Sequence, residues 1–367
     1  MAASAADRTL RGNVTLENRD IIFVSNALAN GGAARVICVL AAEFAKRGRR
    51  VGIAVYNDFD GEYAVAEGVQ KEYGPQGSGA ATKARRIAWL RGVARRNPGA
   101  CIVAFEYFVN MQVAIACAGL PNRLVISERN DPARVGSDRK TDWLRERLYR
   151  RADMLVCQTD DAAAYFSDKV RKTVILNPVK EGLPAPFAGE RRHAVACFCR
   201  LDAQKNLGML LCAFAEFSKE HSDWTLEVYG DGSERGALLA LAGELGIAGK
   251  VALHPGCPNV HERVLDAGMF VLPSDYEGLS NSMLEAMAIG LPVVCTDCPC
   301  GGARMVIREG ENGLLVPVGR ERELAAAMAR VADEDGLAER LGAAAAGVRG
   351  RLAVEEIADE WMKVVAP

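Results

Sequence analysis

The chain has 367 residues, room for two domains. Half of them are hydrophobic and a quarter charged, the ordinary balance of a soluble globular protein. The longest uncharged run of the N-terminal half, Tyr107 to Asn122, is too short and too polar for a transmembrane helix, which needs about 20 apolar residues. Eleven cysteines show no disulfide-scaffold spacing and follow no signal peptide, which predicts a reducing cytoplasm. The net charge of −2 hides an asymmetry: residues 1–185 carry 28 Lys+Arg against 20 Asp+Glu, and residues 186–367 the remaining 17 against 27. A basic half joined to an acidic half points to an anionic surface or ligand on one side.

Residues 1–19 are polar and aperiodic and read as a loose tail. Ile21–Val24 is a buried strand, followed by a turn at Asn30, Gly31 and Gly32 and a helix over Ala33 to Lys46 that Gly48 stops. The two glycines either let backbone approach a ligand or make a tight turn between strand and helix. Strands follow at Val51–Tyr56, Cys101–Phe105, Leu124–Ser127, Met154–Cys157 and Thr173–Leu176, with helical patterns between them. Alternating strand and helix predicts a parallel, doubly wound sheet.

Two stretches of this half are rich in cations. No acid occurs from Tyr73 to Phe105, and helix 82–97 places Trp89 among Arg85, Arg86 and Arg96. That pattern suits an anionic membrane surface or lipid head group, or else a solvated face with Trp89 packed inside. In the segment 127–153, Ser127 and Glu128 end a strand and Asn130-Asp131-Pro132 signals a turn. There Arg145, Arg147, Arg150 and Arg151 mix with acids and read as surface.

The Pro-punctuated stretch Asn177 to Glu190 reads as a linker. A second alternating unit follows, with strands at Ala194–Phe198, Thr225–Tyr229, Val251–Leu253, Met269–Leu272, Val293–Thr296 and Leu314–Val316. Its first strand runs into CFCRLDAQKNLGMLL, where Arg200 and Lys205 flank a turn that opens a helix near Leu207. Two cations at a strand's carboxyl end suit a diphosphate. Gly230, Gly232 and Gly236 approximate a dinucleotide fingerprint, but the spacing is off and the stretch reads as a turn between strand and helix. Then comes PSDYEGLSNSMLEAMAIGLPVV, with Glu277 in a Gly-rich turn after a strand and Glu285 inside a helix that begins near Ser280. Backbone N–H groups at such a helix start attract anions. The two acids either hold a polyol beside a phosphate or are a solvent-facing acid plus a helix-start charge. Cys295, Cys298 and Cys300 cluster without a partnering His/Cys pair, so no metal site is assigned. No Ser/His/Asp triad can be assembled, and the four histidines all lie in the second half. From about Arg322 the chain is Ala-rich helix, ending in Val354–Val365.

Together these residues resemble family 4 of the retaining, nucleotide-sugar-dependent glycosyltransferases. The resemblance rests on Asn30-Gly31-Gly32, Arg200-Leu201 with Gln204-Lys205-Asn206, the string EGLSNSMLEAMAIGLPVV with its E-x7-E, TDCPCGGARMVI and GENGLLVPVG, and it covers nearly the whole chain. It implies an α/β, GT-B fold of two doubly wound Rossmann-like domains facing a cleft. The expected domains are 20–178 for the acceptor and 191–350 for the nucleotide-sugar, with a C-terminal helix, 351–367, returning to the first. The implied activity is a retaining, metal-independent hexosyltransferase. It moves a sugar from a UDP-sugar to a hydroxyl of a lipid-linked or cell-surface-glycan acceptor, with no cofactor beyond the donor. A soluble acceptor, or nucleotide-sugar binding without transfer, are the rival readings. The resemblance makes Glu277, Arg200 and Lys205 catalytic. Arg200 and Lys205 would bind the diphosphate, Glu285 the ribose and Glu277 the transferred sugar. Gly278, Leu279, Ser280 and Asn281 would lie near that sugar, Gly31 and Gly32 near the phosphate, and Gly256 to Val260 along the base.

Many relatives carry a His after a strand of the first domain; the corresponding stretch here is AFEYFVN, without a His, and either Glu106, Tyr107 or the Glu128-Arg129-Asn130 turn would line that space. The SERNDP turn and helix 82–97 most resemble enzymes that extend polyprenyl-diphosphate-linked glycans, such as bacterial N-acetylgalactosamine transferases. That implies an acceptor site from Lys83, Arg85, Arg86, Arg91, Arg95, Glu128 and Arg129. It also implies a peripheral place on the inner face of the plasma membrane, with no nucleic-acid partner.

Overall fold

A computed structural model describes residues 14–29, 31–59, 61–136 and 138–366. Most of the expected loose tail and the turn residue Asn30 lie outside the described residues. The described end of that tail is not loose: Leu16 is fully buried, and its N–H donates to Glu72 Oε2 at 2.7 Å. The chain divides into two compact units. The first takes the described residues up to Gln158, Ala163–Ile175 and the segment from Val354 onward; the second takes Thr159–Ala162 and Leu176–Ala353.

The first unit is built on β1 (Ile21–Ser25), β2 (Val51–Val55), β3 (Gln70–Tyr73), β4 (Cys101–Phe105), β5 (Leu124–Ser127), β6 (Met154–Cys157) and β7 (Lys172–Val174). The strands form one seven-stranded sheet in the order β3-β2-β1-β4-β5-β6-β7, and each adjacent pair is parallel. Its helices are α1 (Gly32–Lys46), α2 (Ala80–Arg96), α3 (Tyr107–Ala116) and α4 (Arg139–Tyr149). The short α5 (Asp160–Tyr165) runs across the division of the chain into units. Strands β1, β2 and β4 are buried along their whole length, as runs such as IIFVS and CIVAF require of a sheet covered on both faces. β3 was not expected. Its sequence, QKEY, is polar because it is an edge strand paired only with β2.

The second unit uses β8 (Arg192–Phe198), β9 (Thr225–Tyr229), β10 (Val251–His254), β11 (Ala267–Leu272), β12 (Val293–Thr296) and β13 (Leu314–Val316). They form a six-stranded sheet in the order β10-β9-β8-β11-β12-β13, again parallel throughout. Its helices are α6 (Leu207–Phe217), α7 (Arg235–Glu244), α8 (Val260–Arg263), α9 (Asn281–Ala288), α10 (Glu321–Asp333), α11 (Leu337–Ala345) and α12 (Val348–Arg351).

The last helix, α13 (Val354–Val365), belongs to the first unit, as expected. Trp361 is fully buried and stacks on Phe105 with ring centroids 5.5 Å apart; Phe105 in turn meets Phe23 edge-on at 6.2 Å. Arg123 Nε donates to the Val364 carbonyl at 2.7 Å, and Asp359 pairs with Arg47 of α1. Trp361→Ala should therefore cost the first unit about 3–5 kcal/mol. Urea unfolding should show that loss, and Trp361→Phe should recover most of it.

Candidate functional site

In each sheet the strand order reverses beside the first strand, between β1 and β4 and between β8 and β11. Open parallel sheets bind ligands outside the carboxyl ends of strands at such reversals. In the second unit the segments leaving β8 and β11 are Cys199–Asn206 and Pro273–Ser280, so the fold brings Arg200, Lys205 and Glu277 to one place.

Lys205 ends a 3-10 turn, Ala203–Lys205, and is buried. Its ammonium pairs with Glu277. Burial, the largest single effect, works to lower the Lys205 pKa, but the charge and hydrogen bond of Glu277, joined by Cys199, together hold the ammonium above its ordinary value. Glu277 is also fixed from its own loop, where Ser274 Oγ donates to Oε1 at 2.9 Å. Gln204 Nε2 donates to the Tyr276 carbonyl at 2.8 Å and the Asp275 N–H donates back to the Gln204 carbonyl at 2.9 Å. Asn206, in the left-handed region at φ 45°, donates to Asp275 Oδ1 at 2.7 Å and caps α6 through Met209 N. Two loops distant in sequence are thus clamped around one ion pair. Arg200 is largely exposed, its guanidinium 2.9 Å from Asp202.

Glu285 lies on α9, which Ser280 caps by accepting from Met283 N. It is buried and hydrogen-bonded to His261 Nε2 at 2.7 Å. His261 sits on α8, one residue after Val260, and meets the Phe198 ring edge-on at 5.4 Å. Sequence reasoning assigned no role to His261, Ser274 or Gln204. No spacing signal links His261 to Glu285; only the folded chain brings the two side chains together. Gly256 N donates to Asp231 Oδ2 at 3.1 Å, Leu279 is buried, and the Asn281 side chain accepts from Asn177 at 2.9 Å. Gly278 is held backbone to backbone: a Cβ on Gly302 would lie 1.6 Å from the Gly278 carbonyl oxygen. The glycine fingerprint has a similar cause. A Cβ on Gly230 would meet the Cys199 carbonyl at 1.9 Å, so this turn packs against the Arg200 segment. Cys295, Cys298 and Cys300 are buried, and burial, then the Glu277 charge, pushes the Cys298 thiol up to about 12. Among the described residues no group of three or more His, Cys, Asp or Glu is placed to hold a metal ion.

The remaining expected residues belong to the first unit. Gly31 caps α1 and Gly32 is its first residue, both just beyond the carboxyl end of β1. On α2, Lys83, Arg85 and Arg95 are exposed. Arg86 is not available to a lipid head group: it is buried over the Tyr56 ring, with hydrogen bonds to Asn57 Oδ1 and the Pro75 and Gly77 carbonyls. Arg91 donates to the Ala116 and Ala118 carbonyls. Trp89 packs inward against Gly74 and Tyr56, with Nε1 donating to Glu72 at 2.7 Å. Of the two readings of helix 82–97, the packed tryptophan is the observed one. Arg145, expected at the surface, is buried, donating to the Pro132 and Val135 carbonyls and to Tyr165.

Arg129 lies over the Phe105 ring at 4.6 Å, and Glu128 is buried against the Tyr149 hydroxyl. Burial pushes the Glu128 carboxyl up to about 7, with Glu106 adding to the rise and Tyr149 and Arg145 opposing it. Glu106, at the strand reversal after β4, is pushed to about 7 by burial and sits at φ 76°, a conformation rare for a side-chain-bearing residue. A carboxyl whose pKa is raised on folding stabilises the fold while protonated; that contribution is full below its ordinary value and lost as pH rises through about 7. Glu128→Gln keeps an acceptor for Tyr149 but cannot ionise. Relative to it, the wild type should lose stability from about pH 5 to about pH 8, by on the order of 3 kcal/mol at most, in urea unfolding at stepped pH.

Residues 186–348 match the family model described as glycosyl transferases group 1. The chain is 30% identical over 215 residues to an exopolysaccharide phosphotransferase of Streptomyces coelicolor, covering 57% of this chain and 23% of that protein. It is 29% identical over 233 residues to the lipopolysaccharide core biosynthesis glycosyltransferase LpsE of Rhizobium meliloti, covering 59% and 65%. The chain thus spans less than two thirds of either relative. A match over 356 residues, 94% of this chain and 98% of the relative at 24% identity, joins it to an α-1,4-N-acetyl-D-galactosaminyltransferase of Campylobacter jejuni. The name of that enzyme gives a diphospho-undecaprenol-linked glycan as its acceptor. Among solved structures, Anabaena HepE in complex with UDP superposes with a TM-score of 0.79 at 18% identity, over 94% of this chain and 98% of that one. The two Rossmann-like units are those of the GT-B fold. Residues 186–348, within the second unit, thus form a glycosyl transferases group 1 domain.

Proposed function

We propose that this chain is a glycosyltransferase that moves a sugar from a UDP-sugar to a hydroxyl of a lipid-linked or cell-surface glycan, with retention of configuration and without a metal. The observation that carries the proposal is the buried Lys205–Glu277 pair at the strand reversal of the second unit, with Arg200 exposed on the same segment. The pair keeps a lysine charged in a site with little water. Its ammonium has three donors, and those not directed at Glu277 suit phosphate oxygens. Arg200 adds an exposed guanidinium for the same diphosphate. Glu285, oriented by His261, would accept from ribose hydroxyls, and Glu277 from hydroxyls of the transferred sugar. The N–H groups of Gly278 to Asn281 lie at the start of α9, where the helix dipole favours an anion. In the first unit Gly31 and Gly32 offer the same at the start of α1, and the exposed Lys83, Arg85 and Arg95 suit an acceptor diphosphate.

The reaction breaks the bond between the sugar's anomeric carbon and the phosphate oxygen and makes one from that carbon to the acceptor oxygen. The acceptor proton passes to the departing phosphate, so the chain's own residues need only hold and neutralise. UDP in the HepE structure and the lipid-linked acceptor in the name of the Campylobacter relative support this choice of substrates.

Two measurements test it. Thermal unfolding should respond to UDP and UDP-sugars before GDP- or ADP-sugars; a ligand at 100 times its dissociation constant adds roughly 2.7 kcal/mol. No response to any of them would overturn the proposal. In transfer assays Glu285→Ala should chiefly raise the donor KM. Glu277→Gln should chiefly lower kcat, by roughly ten- to hundredfold, the worth of a hydrogen bond to a charged group. Full turnover in Glu277→Gln would remove that residue from the chemistry.

A further inference from the structure

The exposed tryptophan of the first unit is not on α2 but on α4. Trp143 is 64% exposed and its neighbour Leu144 40%. Isolated exposed apolar residues are ordinary; the company of these two is not. Asp138 caps the helix by accepting from Lys140 N and Thr141 N, and the face carrying Arg145, Leu148 and Tyr149 is buried. At about 100° per residue, Lys140, Trp143, Leu144 and Arg147 fall within an arc of about 100° on the opposite side. Arg139 flanks that arc, and Arg150 and Arg151 follow the last turn; all are exposed. The two acids of the helix lie outside the arc and are engaged, Asp142 with Arg145 at 3.1 Å and Glu146 with Arg150 at 3.2 Å. The Arg147 guanidinium sits 5.7 Å from the Trp143 ring.

We infer that α4 docks this protein on an anionic lipid surface, with Trp143 and Leu144 entering the head-group layer and Lys140, Arg147 and their neighbours pairing with lipid phosphates. The chemistry is that of an interfacial helix: an amphipathic ring at the apolar boundary, ringed by cations whose acids are turned away. α2 lacks this combination. It carries no exposed aromatic of its own, since Trp89 is packed against Gly74. The inference rests on the proposed function only in making a lipid-bearing acceptor the reason for docking; the surface itself is read from α4. No helix among the described residues is long and apolar enough to cross a membrane, and α4 would lie on one.

The test is co-sedimentation of the full chain with vesicles of phosphatidylcholine alone and with about 30% phosphatidylglycerol, with no donor or acceptor present. The wild type should pellet with the anionic vesicles, more weakly at high salt, and little with phosphatidylcholine alone. Trp143→Ala and the double variant Lys140→Glu/Arg147→Glu should each weaken binding at least roughly tenfold, with unchanged thermal unfolding. Wild-type levels of binding in both variants would overturn the inference. So would loss of binding only in a Lys83→Glu/Arg85→Glu/Arg95→Glu variant, which would move the surface to α2. Retention of the wild type on immobilised polyglutamate without vesicle binding would replace lipid by an acidic protein face. UDP stabilisation measured on the same samples separates the two proposals: vesicle binding without a nucleotide response would remove the transferase reading and leave the docking surface.

Discussion

Both sheets are parallel throughout, and the rest of the molecule follows from that. A parallel pair cannot be closed by a hairpin, so each strand must be followed by a crossover, here mostly a helix. The carboxyl ends of the strands then collect along one edge, with helix starts facing them. Where the order reverses, two adjacent strands send their connections in opposite directions and leave room between them. β8 and β11 are such a pair, hydrogen-bonded to each other although two strands intervene in sequence. Lys205 and Glu277 are neighbours for that reason, as are the loops that carry them.

The second theme is the treatment of buried charge. Removing an ion from water costs several kcal/mol, so a buried charge persists only when its surroundings answer it. Lys205 is answered by Glu277, Glu285 by His261, and Arg145 by two carbonyls and a phenol. Glu128 and Glu106 are answered less fully and are drawn toward the neutral form. Each arrangement ties segments that the chain order keeps apart, so the polar interior also fixes which loops meet. Arg200 differs: it stays largely in solvent, paired with Asp202.

The inner strands were legible because full burial demands apolar runs, and CIVAF, AGMFVL and VVCT admit little else. QKEY was not, since an edge strand is asked for pairing on one side only and its polar side chains resemble a loop. The Arg200, Lys205, Glu277 and Glu285 positions were legible from their place at strand and helix ends. His261, Ser274 and Gln204 were not, because their part depends on which elements pack together. Trp89 and Arg145 show the limit most plainly. Helical spacing put Trp89 among cations, but Gly74, lacking a side chain, opens the slot its ring fills. Arg145 went the same way: beside Asp142 on its own helix, it is held by the Pro132 and Val135 carbonyls and the Tyr165 hydroxyl, which no helical spacing reveals.

The placement of α13 also has a consequence for how the chain is made. Trp361 completes the aromatic stack of the first unit, yet every residue of the second unit precedes it in the chain. During synthesis the second unit can gather all of its own strands and helices while the first still lacks a wall. Of the two units, the one that comes first in this sequence is therefore the later to have its full set of parts, and the order of the units along the chain is the reverse of the order in which their cores are completed.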